Sequence, residues 1–322
     1  MKRLDYLDNV AGILISFMML IHVLAWNVIP LKNDSLWLEP LQFFMYWFYF
    51  KSGMFFKQRT TRNFLNWGGK KLLYPFLVFS LLGYILYLVT IFINGDRNWI
   101  HYLLTPIKEI ILAGSFGAND ILWFLTSLFC VQFLYNELMF RKVNSILIVF
   151  IGFTIAYLCH FLNIHSPEYL GNIALGISMY SLGHICREKQ FHVYVASLAC
   201  LVYMCILILH PSHLNLRYDA LSADGIYILA LMFSVAGCIV INNIFRYLPN
   251  IPVVHYIGRH SMDFYVVHML ALKTLWLFPF KRFGIEGITL FIIMCVTCLI
   301  VPPVFRKITP KWLWAINTNR GV

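Results

Sequence analysis

The sequence predicts an all-α membrane protein of about ten transmembrane helices, organised as one integral-membrane domain over residues 1–322 with both termini in the cytoplasm. Three observations carry that prediction. Hydrophobic residues make up 60% of the chain and charged residues only 12%, against about 25% charged in soluble domains. Mean hydropathy is +0.73. Apolar runs of lipid-crossing length recur along the chain, separated by short clusters of Lys and Arg, as topology signals are. The net charge of +11 is divided among those clusters, with no basic stripe set among base-stacking aromatics, so nucleic acid is not an expected partner.

Taken in order, the expected spans are 9–29, 37–56, 72–93, 120–140, 143–163, 170–186, 192–210, 224–244, 261–279 and 284–305. The first follows Lys2 and Arg3 as a signal peptide would. However, Asp5 and Asp8 precede the apolar run, the run is long, and no small-x-small cleavage site follows, so it reads as a retained span. Segment 170–186 is short but carries Gly171, Gly176, Ser178, Ser181 and Gly183, which suit close helix packing. With the N-terminus inside, seventeen Lys and Arg residues fall in inner segments and six in outer ones, while Lys51 and Lys273 lie within spans. That bias predicts a multi-pass protein of the cytoplasmic (inner) membrane.

The connections hold no long soluble domain. The stretch 94–119 reads as an amphipathic helix at the surface or dipping into it. Segment 57–71 combines Lys57, Arg59, Arg62, Lys70 and Lys71 with Phe64, Leu65 and Trp67, which suits anionic headgroups or ligand phosphates. Trp26, Trp37, Trp99, Trp123 and Trp276 fall near expected interfaces, as aromatic belts do. The eight cysteines sit in or beside apolar segments, which argues against a disulfide framework. Cys295-Val-Thr-Cys298 has metal-site spacing without a second pair, so it reads as structural and no metal is expected.

Four stretches carry chemistry. On the first span, Asp5, Asp8, Gly12, Ile15, Met19 and His22 share one helical stripe, which must face protein or a wet cavity. His22 lies roughly 21 Å along the helix from Asp8, past the midplane of a core about 30 Å thick. Imidazole titrates near working pH and suits a general base; the alternative is a packing histidine bonded to a neighbouring helix, a reading favoured in a soluble core but not inside a membrane. Phe50-Lys51-Ser52-Gly53 ends the second span. Lys51 either snorkels to the inner surface or faces an anionic ligand, Ser52 is a hydroxyl donor, and Gly53 permits close backbone approach. Trp123-Phe124-Leu125 opens the fourth span and is weak as chemistry. Gly258-x-x-Ser261-x-x-x-Tyr265-x-x-His268 starts the ninth, with Tyr265 and His268 on one face. His210 and His213 lie in an outer loop and are assigned no role.

These stretches, in this order, resemble the acyltransferase 3 family of membrane acyltransferases, and the resemblance covers nearly the whole chain. It implies transfer of an acetyl or other short acyl group from cytoplasmic acyl-CoA, as donor substrate rather than bound cofactor, to a hydroxyl of a cell-envelope carbohydrate. The expected partners are therefore acyl-CoA, a glycan or lipid-linked saccharide, and the bilayer. The resemblance makes His22 the base, lets Ser52 position or polarise the thioester, and places Lys51, Gly53, Tyr265 and His268 at the donor. One departure matters. The family carries Arg eleven residues before the histidine, and this chain has Ala11. Lys51 is expected to replace that charge, and Lys273 is not. The alternative is a non-catalytic component of an envelope-glycan assembly or export complex on the same scaffold. A secondary transporter would show inverted repeats, which the sequence lacks.

Overall fold

An apolar chain in lipid must satisfy its own backbone, and helices do so within each segment. The computed structural model describes residues 4–29, 38–95, 99–164, 169–187, 193–217, 219–222 and 224–314. Trp37, one of the expected belt tryptophans, lies outside them, as does the side chain of Trp99. Helix α1 is Asp5–Leu24, α2 Phe44–Met54, α3 Thr61–Gly68, α4 Tyr74–Asn94, α5 Trp99–Ala113, α6 Trp123–Phe140 and α7 Ser145–Phe161. Then follow α8 Tyr169–Ile185, α9 Val193–Leu209, α10 Tyr227–Tyr247, α11 Pro252–Arg259, α12 Ser261–Trp276 and α13 Gly287–Ile308.

Local sequence sets several boundaries. Asn144 caps α7 by accepting from the Ile146 N–H at 2.8 Å. Gly95 closes α4 in the left-handed region, at φ 76°. A π-helical turn over Gly69–Leu73 joins α3 to α4. The only described strands, β1 (Leu214–Asn215) and β2 (Ala220–Leu221), form an antiparallel hairpin with Leu214 opposite Leu221.

Every expected span overlaps a helix, but the helices are unequal. Five stretches are long and apolar enough to cross a membrane: Asp5–Leu24, Thr61–Ile93, His101–Phe140, Tyr227–Tyr247 and Gly287–Ile308, with Ser145–Phe161 and Val193–Leu209 as shorter apolar helices. Helices α2 and α12 have only 11 and 16 residues, and α8 has 17, the length of α7 and α9. These three are enclosed by other helices rather than lipid. Tyr46, Trp47, Tyr49 and Phe50 of α2 are buried, and α12 is buried without a break from Asp263 to Met269. The lipid-type surface is elsewhere, in exposed aliphatics such as Leu81 and Ile85 on α4, Leu147 and Ile151 on α7, and Leu198 and Leu201 on α9. The amphipathic helix expected within 94–119 is α5, which leaves Leu103, Leu104, Ile107 and Ile111 exposed.

Two backbone crossings hold the interior. A Cβ on Gly12 would lie 1.9 Å from the Val254 carbonyl oxygen, and one on Gly258 would lie 1.7 Å from that of Asp8, so α1 and α11 touch backbone to backbone. The same happens between α2 and α8, where Gly53 meets Tyr180 O and Gly183 meets Phe50 O, each at 1.9 Å. Polar side chains then cross-link the helices from inside, where they escape lipid. Trp47 Nε1 donates to Asn242 Oδ1 at 2.8 Å, Tyr49 to Ser127 at 2.7 Å, and Arg306 pairs with the buried Asp263.

The face at which α1 starts is called the lower face below, and the one at which it ends the upper face. Lower-face contacts include Asn9–Asn250 and Arg59–Asn136, and upper-face contacts include Trp26–Trp276, His213–Glu39 and His160–Asp219. Substituting Gly258→Ala drives a methyl into the Asp8 carbonyl, an overpacking that costs about 1–3 kcal/mol. A lower melting temperature of purified Gly258→Ala than of Gly69→Ala, where nothing lies within 4 Å of a Cβ and the backbone is helical at φ -55°, is the expected result.

Candidate active site

The stripe on α1 faces protein, as expected: Asp8, Gly12, Ile15 and Met19 are buried. At its upper end His22 meets His268 of α12, which has no exposed surface. His22 Nδ1 lies 3.0 Å from His268 Nε2, and the two rings are within 23° of coplanar with centroids 5.2 Å apart. The network assigns the protons. The Phe264 carbonyl, 2.9 Å from His268 Nδ1, can only accept, so that nitrogen carries hydrogen. In a neutral ring His268 Nε2 is then the acceptor, and His22 Nδ1–H donates to it. His22 Nε2 is left with a bare lone pair, the state a general base needs.

Below the pair, a cavity of about 190 Å³ is lined by all four chemistry-bearing stretches. Ile15 and Met18 come from α1, Lys51 and Ser52 from α2, Phe124 and Leu125 from α6, and Ser261 and Tyr265 from α12. Met18 sits one turn below His22, about 6 Å along the helix. Phe124 packs on both Tyr49 and Tyr265, with centroids at 4.9 and 6.0 Å, so the Trp123-Phe124-Leu125 segment has more to do than its sequence suggested. Tyr265 gives its hydroxyl to the Ile121 carbonyl and borders the cavity with its ring.

Lys51 and Ser52 also line a second cavity, of about 230 Å³, at the lower face. Lys57, Arg59 and Trp67 complete its mouth. Trp67 carries cations on its ring, with the Arg59 guanidinium 4.3 Å and Lys71 Nζ 5.2 Å from the centroid. Lys51 Nζ lies 5.2 Å from the Trp47 centroid. The two cavities share Lys51 and Ser52; the lower one is rimmed by Lys57 and Arg59 and the other, the throat, is mostly apolar.

A scan of family models matches this chain over residues 4–307 to the acyltransferase 3 family, described as an acyltransferase domain. The chain belongs to that family. No curated protein and no solved structure matches it. The match runs from α1 to α13 and takes in the histidine pair and both cavities.

Three of the expected site residues lie outside the walls of these two cavities. Gly53 packs against the Tyr180 carbonyl at the α2–α8 crossing, where a side chain has no room. His22 and His268 also line neither cavity and face each other. Ala11 is fully buried below Ile15. The sequence reading missed a third group. Asp120 takes a hydrogen bond from Arg217 Nη1 at 2.8 Å and lies 3.6 Å from Lys273 Nζ. All three lie within electrostatic reach of His22. Arg217 arrives on the β1–β2 hairpin, which long-range pairing brings close and which no spacing in sequence could reveal. Far from this site, at the lower end of α1, Asp5, Asp8 and His255 bring ligand-type atoms within 4.8 Å of one another.

The tautomer chain is directly measurable. In protein carrying ¹⁵N-histidine, the His22 signals are expected to show protonated Nδ1 and bare Nε2. In His268→Phe, which removes the acceptor, His22 is expected to lose that single-tautomer signature.

Proposed function

We propose that the protein is an O-acyltransferase of the cytoplasmic membrane that carries an acetyl group from acetyl-CoA to a hydroxyl of a cell-surface or lipid-linked carbohydrate. The lower face, where α1 starts and α13 ends, is then the cytoplasmic side. The observation that carries the reading is the throat, which shares Lys51 with the cation-rimmed cavity, is lined by all four motif stretches and includes Met18, one turn below His22.

In this reading Lys51, Lys57 and Arg59 hold the phosphates of the donor, and the apolar throat takes its pantetheine arm. Ser52 is placed along that arm, where its hydroxyl can donate to the thioester carbonyl. His22 Nε2 takes the proton of the acceptor hydroxyl as the oxygen attacks the carbonyl carbon. The new C–O bond forms, the tetrahedral intermediate collapses, and the C–S bond breaks. The leaving CoA thiolate then regains the proton from His22, so the products are the ester and free CoA. His268 is a positioning residue: it accepts from Nδ1–H and stabilises the charge His22 gains.

Ala11 favours the non-catalytic alternative, because the family's cation is missing from α1. Lys51 answers it, being the lysine shared by mouth and throat. The two readings part on one measurement: transfer of label from radiolabelled acetyl-CoA into glycan or glycolipid by membranes containing the protein. His22→Ala at equal abundance is expected to lower transfer by about 10²–10⁴-fold. Transfer that persists unchanged in His22→Ala would sink the assignment of the base, and no transfer by the intact chain would leave the non-catalytic component standing. Lys51→Ala is expected to raise the KM for acetyl-CoA about tenfold, the equivalent of one charge-assisted contact. The exposed Lys108→Ala should leave it unchanged.

A further inference from the structure

The largest of the described cavities, about 850 Å³, opens at the upper face. Its size falls in the range of about 300–1,000 Å³ common for small-molecule sites. Trp26, Asn27, Trp276, Phe280, Arg282 and Glu286 are among its walls. Its position follows from two helices already fixed by the histidine pair. Trp26 follows the end of α1, four residues after His22, and Trp276 stands two turns above His268 at the end of α12. The indole rings meet with centroids 4.5 Å apart, tilted by 49°. The sequence read both tryptophans as members of an interfacial belt. The structure brings them together in the wall of one cavity.

The chemistry of the walls is two-sided. Flat aromatic rings offer broad apolar faces, while Asn27, Arg282 and Glu286 offer amide, guanidinium and carboxylate groups. A pyranose ring has the same division, with C–H bonds on its faces and hydroxyls around its edge. Trp276 is 45% exposed and has a face to offer, whereas Trp26 is half-buried. Arg282 and Glu286 carry opposite charges, which favours an uncharged ring over an anionic one. We propose that this upper cavity is a saccharide site that holds a neutral pyranose ring stacked on Trp276, with its hydroxyls toward Asn27, Arg282 and Glu286. The assignment of one such hydroxyl as the acyl acceptor rests on the acyltransferase reading above; the binding of sugar does not.

The test is saturation-transfer NMR on the full-length protein, purified in a detergent without a sugar headgroup and with no acyl donor present. The probes are the methyl glycosides of glucose, galactose, mannose, N-acetylglucosamine and glucuronic acid. At least one neutral probe is expected to receive saturation at its ring C–H protons. Binding should persist in Trp276→Phe and in His22→Ala, and weaken about tenfold in Trp276→Leu, which keeps an apolar anchor but loses the aromatic face. Glu286→Ala, at an exposed position, should also weaken it without touching the fold. No binding of any neutral probe, a preference for the glucuronide, or equal affinity of the Leu and Phe variants would each overturn the proposal. Sugar binding without acetyl transfer would count against the acyltransferase reading alone, and transfer without such binding against this site alone.

Discussion

A histidine set among apolar helices has to find its hydrogen-bond partners there, because lipid supplies none. The His22–His268 bond meets that demand, and much of the architecture follows from it. It fixes the vertical register of α1 against α12, two helices joined at no point by short sequence. The α1–α11 glycine crossing fixes the same register from below, through Gly12 and Gly258. Between these two fixed points α1 has no freedom to slide, and the side chains on its inner stripe occupy set heights. Met18 lines the throat and Trp26 the upper cavity at heights set in this way.

Much of this was legible in the sequence. Hydropathy and charge clusters give helices that overlap all ten expected spans, and the polar stripe of α1 names the face that turns inward. Ser52, Lys51 and Tyr265 stand out as polar groups in apolar runs and line one cavity, and His22 stands one turn above Met18 of its wall. What hydropathy misread was enclosure. Helices α2 and α12 are apolar because other helices surround them, not because lipid does, so they fall short of a bilayer's thickness. Composition sees no difference between the two environments.

The residues that escaped notice did so for physical reasons. Gly53 suggests close approach, which is right, but sequence does not say that the approaching group is the Tyr180 carbonyl. Asp120, Arg217 and Lys273 lie on a turn, a hairpin and a helix separated by long stretches of chain. Only folding brings them within reach of His22, and single charges near span ends resemble ordinary topology signals until then. Trp26 and Trp276 are read as belt residues for the same reason, since their pairing is a tertiary fact.

The glycine crossings also have a mechanical side. At α1–α11 and again at α2–α8, main chains touch with no side chain between them, so each pair of helices behaves as one stiff plate. The throat is walled by α1 on one plate and α2 on the other. Neither helix has slack to bow outward around a bulky guest. Widening the passage therefore means parting the plates like the jaws of a vice, with the travel taken up by side chains on α6 and α12 at the seam, Phe124 and Tyr265 among them.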